Sequence, residues 1–508
     1  MKIAISYPPI NTDKGVPLLS QNRQFQYFNN PTYIYPVVPA YAATMLKEES
    51  YQVFWLDAIA ERWPLSKYLE EIEKSRIDLL AIESKTPTIK PYWKTISTIK
   101  KFFPKLKIVL MGDHVTALPL ESMENSQVDY VLTGGDFDFA LLNLAKFLDK
   151  KVKYLEPGVY YRDKKRKIIS SGHFKLDHSL DKLPLIDREL SCWWLYAYAN
   201  GNFKYTPGTY TMVGRDCWWR RPSSEGGYGC TFCSWTSTFP KWRVGTVNKL
   251  LKEVENCLNL GIREIFDDTG TFPIGPWLKD FCQEMIDRGY HKKIKIGCNM
   301  RANGIRDQAT YDLMGKAGFR FILYGLESAS QNTLNRLNKG TTPEDMVLAA
   351  KMASQAGLDP HVTCMVGYPW ESKEEAETTV VRTKELFNKG WINTLQATIV
   401  IPYPGTALFR ECEKNNWLKT RDWNRYDMRE PIMKSPIPEA EIMDLTQKIY
   451  TSFLTPRYIL RKLLSIRTMD DINYYVIRGG KYIWGHLKDF AKSQLAKKPS
   501  PSLSPTLN

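Results

Sequence analysis

Long hydrophobic runs are missing from this chain of 508 residues. No window approaches the ~18 uninterrupted apolar residues of a membrane-spanning helix, which argues against an integral membrane protein. Cysteine is scarce as well, because nine residues are too few for a disulfide scaffold of this length. Residues 1–9 predict a strand that enters a turn, not a signal peptide. We therefore expect a cytoplasmic protein with reduced cysteines.

Hydrophobic residues make up 43% of the chain, so a large core and roughly two to four globular domains are expected. The formal net charge of +15 favours anionic partners such as nucleic acid, phosphates or acidic lipid headgroups. No compact nucleic-acid-binding module is recognisable. Basic residues are denser at 164–167 and 457–467. The charge therefore predicts either general solubility or a peripheral contact with an anionic membrane.

Short apolar runs alternate with helical periodicity over residues 1–150. Strands are expected at 2–6, 52–56, 78–82, 107–111 and 130–133, with helices between them. This alternation predicts an α/β domain with a doubly wound, flavodoxin-like parallel sheet. Ligands bind such sheets at the carboxyl ends of the strands. The loops at those ends contain Pro8, Pro9, Ser84, Thr86, His114, Thr116, Gly134 and Gly135.

A second alternation follows a connector at 151–205, in which a hairpin is expected. Six strands are predicted at 209–213, 264–266, 293–296, 321–324, 361–366 and 395–401. With helices between them, they predict a partial (β/α)6 barrel over residues 206–410. Residues 411–490 have a helical, aromatic pattern, and the Lys-, Pro- and Ser-rich end at 491–508 predicts a disordered tail.

Three cysteines sit close together just after the first predicted barrel strand. They are Cys217, Cys230 and Cys233, and the last two form a Cys-x-x-Cys pair. Three thiolates can hold three irons of a [4Fe–4S] cluster and leave the fourth iron open to a small molecule. The pair alone is a weak signal, because zinc and disulfide sites share it.

Several separate stretches together resemble the cobalamin-binding radical S-adenosylmethionine (SAM) enzymes, over roughly residues 1–410. Segments 111–119 and 128–136 are similar to the family's cobalamin domain. Cys230-Thr-Phe-Cys233 resembles the end of its cluster motif. Segments 266–269, 325–328, 365–371 and 402–406 resemble its later barrel segments. The resemblance implies three cofactors: a [4Fe–4S] cluster, SAM and cobalamin.

The chain departs from the family where the first cysteine is expected. The family motif has three residues between its first two cysteines, whereas twelve separate Cys217 from Cys230. Either the loop carries an insertion and Cys217 is the first ligand, or the first ligand is another cysteine, with Cys192 the nearest upstream. We favour Cys217, because it closely follows the strand and a flexible loop closes at modest entropic cost.

In the family, SAM chelates the open iron through its amino and carboxylate groups, and reduction of the cluster yields a 5′-deoxyadenosyl radical. The resemblance assigns the SAM site to Phe232, Asp267, Asp268, Asn299, Arg301, Glu327 and Gly367. Ordinary explanations compete at each position: loop packing, solvent exposure, an ion pair or a plain turn. Glu327 follows an apolar strand, and a buried carboxylate there needs a partner, either a polar ligand or Arg301.

His114 invites assignment as a cobalt ligand, but the flanking residues do not support it. Histidine-ligated cobalamin proteins carry Asp-x-His-x-x-Gly, and here Gly112 and Ala117 occupy the aspartate and glycine positions. We expect His114 to line the loop over the corrin without binding cobalt. Pro8, Pro9, Ser84, Thr86, Thr116, Gly134 and Gly135 are the other candidate contacts, and turn chemistry is their alternative explanation.

Three functions are compatible with these motifs. The first is radical methyl transfer to an unactivated carbon, and the second is radical cyclisation, ring contraction or rearrangement without methylation. The third is a cofactor-binding sensor without turnover, against which the retained cysteines argue. We expect a small-molecule or lipid-like substrate and an electron donor such as ferredoxin or flavodoxin. No residue is assigned as a catalytic acid or base.

Overall fold

The structure, a computed structural model, describes residues 1–18, 25–220 and 229–478. The predicted tail at 491–508 and most of the predicted insertion between Cys217 and Cys230 lie outside these residues. No helix in the described ranges is long and apolar enough to cross a membrane.

The N-terminal half contains a sheet that is seven-stranded in the described part of the chain, in the order β4-β1-β5-β6-β7-β8-β9. Its first five strands in this order are parallel, and β8 and β9 continue it as an antiparallel hairpin. The strands of this half are β1 Lys2–Tyr7, β2 Val16–Pro17, β3 Tyr27–Phe28, β4 Gln52–Asp57, β5 Leu79–Glu83, β6 Lys107–Met111, β7 Tyr130–Leu132, β8 Val159–Arg162 and β9 Ile168–Ser170. The parallel strands have the flavodoxin-like order, so the predicted fold class is confirmed.

Helices cover the sheet because their apolar residues recur at helical spacing. In α3, for example, Ile89, Tyr92, Ile96 and Ile99 form one buried stripe. The strands β5 and β6 are almost entirely apolar, as expected for strands buried on both faces. The helices of this half are α1 Val37–Glu48, α2 Leu65–Ser75, α3 Ile89–Phe102, α4 Asp113–Ala117, α5 Pro119–Asn125 and α6 Phe137–Leu148.

The second half contains the predicted partial barrel. Within the described residues, its six strands are all parallel and stand in the order β10-β13-β14-β15-β16-β17. The strands of this half are β10 Gly208–Thr211, β11 Gly214–Arg215, β12 Arg243–Val244, β13 Glu264–Asp267, β14 Lys295–Met300, β15 Phe319–Glu327, β16 Asp359–Val366 and β17 Thr394–Ile399. Each of the six barrel strands overlaps a predicted one, although β14 shares only two residues with the strand predicted at 293–296.

Local capping fixes the ends of the barrel helices. Thr342 caps α12 and Ser372 caps α13, each in a reciprocal capping box, and Gly390 ends α13 in a left-handed conformation. The helices of this half are α7 Trp235–Thr238, α8 Val247–Asn259, α9 Pro276–Asp287, α10 Gln308–Lys316, α11 Gln331–Arg336, α12 Pro343–Gln355, α13 Lys373–Lys389, α14 Ala407–Lys414, α15 Glu439–Tyr450, α16 Pro456–Ser465 and α17 Met469–Asp471. A π-helical turn, Ile472–Arg478, follows α17.

Two short antiparallel pairs were not predicted. The pair β2–β3 lies near the N-terminus, and the pair β11–β12 brackets the cysteine segment. Each of these strands is two residues long, too short for alternation to be read from sequence. The pair β11–β12 matters for the site because it fixes both ends of the segment that carries the three cysteines.

The two halves pack directly on each other. One buried apolar cluster contains residues from both halves. Ile82, Leu110 and Val115 come from the N-terminal half, and Tyr403 and Met428 follow the last barrel strand. The close approach requires glycine at Gly135, where a Cβ would lie 1.8 Å from the Phe239 ring. The carboxyl edge of the first sheet therefore faces the chain that follows the last barrel strand.

Candidate functional site

Three cysteines line a single cavity in the barrel half. Cys217, Cys230 and Cys233 all face it. All nine cysteines, which lie within the described chain, are free thiols. Cys192 does not line this cavity; it packs against the main hydrophobic core, and burial raises the pKa of its thiol to about 11. The geometry therefore groups the three cysteines that the sequence favoured.

The cysteine segment is held by neighbouring loops. The Sγ atom of Cys217 lies 2.7 Å from Thr271 Oγ1. Burial raises the pKa of the Cys217 thiol, and the positive charge of Arg301 partly opposes this. The backbone of Thr231 donates to Leu337 O at 2.9 Å and accepts from Leu408 N at 2.9 Å. Elements on both sides of the barrel mouth thus fix the Cys-x-x-Cys turn.

The donor set fits an iron–sulfur cluster better than a single ion. No three His, Cys, Asp or Glu side chains converge on one ion position among the residues the structure describes. A cubane cluster does not require such convergence, because each thiolate binds a different iron. Three partly exposed thiols, none of them in a disulfide, surround one cavity. Three thiolates would bind three irons of a four-iron cluster and leave the fourth without a protein ligand.

Arg301 lies beside the cysteines. Its Nη1 atom is 3.8 Å from Cys230 Sγ, and its guanidinium lies over the rings of Trp219 at 4.5 Å and Trp218 at 5.4 Å. The Nε atom of Arg301 is buried and has no hydrogen-bond partner among the described residues. Arg301 thus brings a partly unsatisfied positive charge to the cavity.

Glu327 lines the same cavity and has a left-handed backbone, with φ of 64°. Its Oε1 atom accepts from Lys339 Nζ at 2.7 Å, and both side chains are buried. Arg301, the protein partner that the sequence suggested for Glu327, instead points to Cys230 and the Lys339 carbonyl, so that prediction is wrong. Glycine is needed at Gly325, where a Cβ would lie 2.1 Å from Glu327 Oε1.

The two aspartates after β13 have different roles. The Asp267 carboxylate is buried and accepts from Thr211 Oγ1 and Val213 N, both at 2.9 Å, so it ties β10 to β13. Asp268 accepts from Asn299 Nδ2 at 3.1 Å. Asn299 lines the cavity, but neither aspartate does. Asp268 therefore orients a cavity residue, and Asp267 braces the strands behind it.

Of the two other residues predicted for the SAM site, Phe232 lines the cavity and Gly367 does not. Phe232 lines the cavity, and Lys339 Nζ lies 5.8 Å from the centre of its ring. Gly367 has φ of 93° but faces Ile442 of α15 and does not line the cavity. Phe232 is thus available to a ligand, whereas Gly367 shapes the packing of the C-terminal helix.

Three residues that line the cavity from neighbouring barrel strands are polar but uncharged. His361, Thr363 and Gln396 line it from β16 and β17. Burial lowers the pKa of His361 to about 4, and its Nδ1 atom lies 2.8 Å from Thr394 Oγ1, so the ring is neutral near pH 7. These residues were not predicted from the sequence. His361 and Thr363 are two positions apart on β16, so the alternation of side chains along a strand already placed them on one face.

The predicted cobalamin loops lie together at the carboxyl edge of the first sheet. His114 is buried there, with Nδ1 3.2 Å from Thr86 Oγ1 and Nε2 3.1 Å from Glu121 Oε2. Thr116 Oγ1 donates to Gly112 O at 2.6 Å. Both ring nitrogens of His114 are engaged within the protein, as expected if it is not a cobalt ligand.

The remaining loop residues make structural contacts of their own. Ser84 Oγ donates to Met111 O at 3.1 Å. Gly134 donates to Thr116 Oγ1 at 3.1 Å, and Gly135 donates to Thr238 O at 2.8 Å. Pro8 and Pro9 follow β1; Pro8 is buried and Pro9 is partly exposed. These residues share one edge of the sheet, and their contact with a corrin stays a prediction.

Comparison with protein families gives a match to the model of the Radical SAM superfamily over residues 226–382. An uncharacterized methyltransferase of Pyrococcus horikoshii is 29% identical over 84% of this chain and 90% of its own. The anaerobic magnesium-protoporphyrin IX monomethyl ester cyclase of Cereibacter sphaeroides is 25% identical over 91% of this chain and 72% of its own.

Solved structures with the same fold include two that bind cobalamin. The cobalamin-dependent S-adenosylmethionine radical enzyme OxsB matches with a TM-score of 0.67 at 15% identity, over 97% of this chain and 74% of that one. The radical S-adenosylmethionine methyltransferase TsrM from Kitasatospora setae matches with a TM-score of 0.64 at 14% identity, over 90% and 86%. Both matches include the N-terminal sheet as well as the barrel, so the likeness extends over both halves of the fold.

Proposed function

We propose that this chain is an enzyme of the radical SAM superfamily that uses a [4Fe–4S] cluster, SAM and cobalamin to methylate an unactivated carbon of a small molecule. The observation that carries the proposal is the meeting of three free thiols and the charged residues Arg301, Glu327 and Lys339 on one cavity. The chain's relatives include proteins described as methyltransferases and as a cyclase. Cyclisation or rearrangement without methylation is therefore the second candidate.

We propose Cys217, Cys230 and Cys233 as the cluster ligands. The segment of twelve residues between the first two is then an insertion in the family's motif. The β11–β12 pair joins the chain just before Cys217 to the chain after Cys233, so both ends of the cysteine segment are held together. Cys192 is the weaker candidate, because it lies outside the cavity that the other two cysteines line.

For SAM we propose a site built from Asn299, Arg301, Glu327 and Phe232. Arg301 suits the SAM carboxylate, because a guanidinium offers several donors and its Nε lacks a partner. Glu327 suits the SAM amino group or ribose, and Lys339 holds it in place. Phe232 offers an apolar face to the adenine. We assign Asp267, Asp268 and Gly367 to support of this site and not to direct contact.

For cobalamin we propose the space between the carboxyl edge of the first sheet and the barrel cavity. Tyr403 and Met428 line the cavity and also pack with the first sheet, so the two regions adjoin. The candidate contacts are Pro8, Pro9, Ser84, Thr86, His114, Thr116, Gly134 and Gly135. Bound cobalamin would supply a methyl group for transfer, and these residues would bind and orient it there.

We propose an uncharged substrate with an apolar body. Arg301 lies beside Cys230, whereas His361, Thr363 and Gln396 on β16 and β17 are neutral. Leu323 and Met300 add apolar surface. A charged substrate group placed against these neutral side chains would lose hydration without a compensating ion pair. A small molecule with hydroxyl, carbonyl or amide groups fits, and a lipid-like molecule fits if its polar end is uncharged.

We also propose that an external donor such as ferredoxin or flavodoxin reduces the cluster. SAM cleavage consumes one electron, and no described residue supplies it. A cytoplasmic location with reduced thiols suits both the partly exposed cysteines and such a donor.

Anaerobic turnover tests the function. The reconstituted enzyme is given SAM, methylcobalamin, reduced flavodoxin and metabolites extracted from cells lacking the protein. Methylation predicts 5′-deoxyadenosine together with S-adenosylhomocysteine, and a metabolite whose mass rises by one methylene. Deoxyadenosine alone, with a metabolite changed in structure, favours cyclisation or rearrangement. The absence of both products with all cofactors bound would favour the sensor, and a Cys230→Ala/Cys233→Ala variant provides the control.

A further inference from the structure

The helix α16, near the end of the described chain, is attached by its polar side. Arg461 donates to Phe387 O at 3.2 Å and to Asn388 O at 2.9 Å, and the Tyr458 hydroxyl donates to Asn393 O at 2.6 Å. Lys462 donates to the side chain of Asn393. A surface helix of a globular protein normally turns its apolar side inward. Here the Tyr458 ring packs inward against Phe387 and Phe453, but no residue of the helix is buried and its other inward contacts are polar.

The apolar side of α16 faces outward. Ile459, Leu460, Leu463 and Leu464 are 46%, 58%, 58% and 66% exposed. Their positions at i, i+1, i+4 and i+5 place them on one face of the helix. Met469, just beyond the helix, is 77% exposed. Isolated exposed leucines are normal, but a contiguous apolar stripe on a helix anchored by its charged residues indicates an interaction surface.

Positive charge accompanies this apolar stripe. Arg457 and Arg467 are exposed at either end of α16, and neither forms an ion pair with any residue in the described ranges. The nearby acidic residues are already paired, Asp470 with Arg263 and Asp471 with Lys204. The stripe is therefore flanked by uncompensated positive charge in a chain whose net charge is +15.

We propose that α16 docks the enzyme on the surface of an anionic lipid bilayer. The four apolar side chains would enter the boundary between headgroups and acyl chains, and Arg457 and Arg467 would contact lipid phosphates. A second copy of the chain is the less suitable occupant, because a two-fold contact through this stripe would bring the like-charged arginines of both copies together. The polar anchor made by Arg461 keeps the helix axis fixed on the barrel while its apolar side faces the membrane.

Vesicle sedimentation with the full-length protein tests this inference, using neutral phosphatidylcholine vesicles and vesicles that also contain phosphatidylglycerol. We expect binding to the anionic vesicles that weakens as salt is raised, and little binding to neutral ones. Leu460→Ser/Leu464→Ser should reduce the partition coefficient by about tenfold or more. Arg457→Gln/Arg467→Gln should reduce it by roughly 25-fold, at about fivefold per arginine near an anionic surface.

A matched control uses two exposed apolar residues elsewhere on the surface. Leu348→Ser/Val381→Ser changes side chains that are 41% and 67% exposed on α12 and α13, and it should leave binding unchanged. Circular dichroism and melting curves would verify that every variant is folded. The inference is overturned if the full-length chain does not bind anionic vesicles, or if Leu460→Ser/Leu464→Ser binds them as well as the control variant and the wild type do. It is also overturned if light scattering shows a dimer that Leu460→Ser/Leu464→Ser dissociates. Sedimentation involves no turnover, so this inference and the proposed chemistry can fail separately.

Discussion

Arg215 Nη2 lies 2.7 Å from Asp138 Oδ2, and both side chains are completely buried. Arg215 belongs to β11, two residues before Cys217, whereas Asp138 lies in α6 of the N-terminal half. Arg215 Nη1 also donates to Gly135 O at 3.2 Å. A single arginine therefore joins the start of the cysteine segment to the loop at the carboxyl edge of the first sheet. The position of the cysteine segment depends on the docking of the two halves.

Removing either member of this pair should lower the stability of the protein and, at the same time, increase the mobility of the cysteine segment. Arg215→Met or Asp138→Asn leaves a buried group without its partner, and breaking a buried pair costs about 3–5 kcal/mol. We expect a lower melting temperature and faster hydrogen exchange both at residues 134–138 and at the cysteine segment. Arg215→Met/Asp138→Leu should recover part of the loss. Faster exchange on only one side would show that the pair does not couple the two halves.

The three cavity cysteines should be required for iron binding, and Cys192 should not. Cys217→Ala, Cys230→Ala and Cys233→Ala each remove one thiolate, so iron and sulfide content and the broad visible absorption of the cluster should fall. Cys192→Ala serves as the matched control, because it is also a partly exposed free thiol but lies outside the cavity. Loss of the cluster in Cys192→Ala with retention in Cys217→Ala would reverse the assignment.

Lys339 should stabilise the fold and also support SAM binding. Lys339→Met leaves the Glu327 carboxylate buried without its partner, which should cost about 3 kcal/mol or more and weaken SAM binding measured by calorimetry on the reconstituted protein. Lys339→Met/Glu327→Gln should restore much of the stability but not the affinity. Lys389→Met breaks an exposed pair with Glu385 and should cost less than about 1 kcal/mol. Unchanged SAM affinity in Lys339→Met would remove Glu327 from the proposed site.

Glu371 should make stability depend on pH. Burial raises the pKa of this carboxyl from 4.5 to about 7, although Ser328 donates to it at 2.7 Å. The contribution of Glu371 to the free energy of unfolding is most favourable below pH 4.5, where the carboxyl is neutral in both the folded and the unfolded protein. This contribution decreases as pH rises through 7. Glu371→Gln should match the wild type near pH 4.5 and be more stable above pH 7, by roughly 3 kcal/mol at most.

Melting curves from pH 5 to pH 8 would measure this difference. Glu377→Gln, an exposed glutamate on α13, is the control and should leave the pH dependence unchanged. A difference between Glu371→Gln and the wild type that is constant over this range would mean that Glu371 does not titrate as described.

His114 should be replaceable without loss of cobalamin. Both of its ring nitrogens have partners within the protein, and its ring also meets Trp423 edge-on at 5.5 Å. His114→Ala should lower stability by about 1–3 kcal/mol, because Thr86 and Glu121 lose a partner. The electron paramagnetic resonance spectrum of bound cob(II)alamin should be the same in the wild type and the variant. Nitrogen splitting present in the wild type and absent in His114→Ala would identify the histidine as a cobalt ligand.

The barrel strands were predicted well because their apolar runs are long and bounded by helices. The strand at 361–366 lies within β16, and the one at 321–324 lies within β15. Lys339 was missed because it lies in the loop between α11 and α12, where no periodicity marks it. The predicted pairing of Glu327 with Arg301 was wrong, because the sequence shows only that each residue follows a barrel strand and not where its side chain points. Their directions depend on how loops from different strands meet.

By itself the sequence determined most of the secondary structure, the parallel strands of the two large sheets and the group of cysteines, because these depend on residue spacing within short segments. Only the tertiary structure decided that Cys217 rather than Cys192 shares a cavity with Cys230 and Cys233, and that Lys339 and not Arg301 pairs with Glu327. It alone brought Asp138 to Arg215 and turned the leucines of α16 outward. Such contacts join residues far apart in the chain, so packing and the need to satisfy buried charges select them, and no local pattern encodes them.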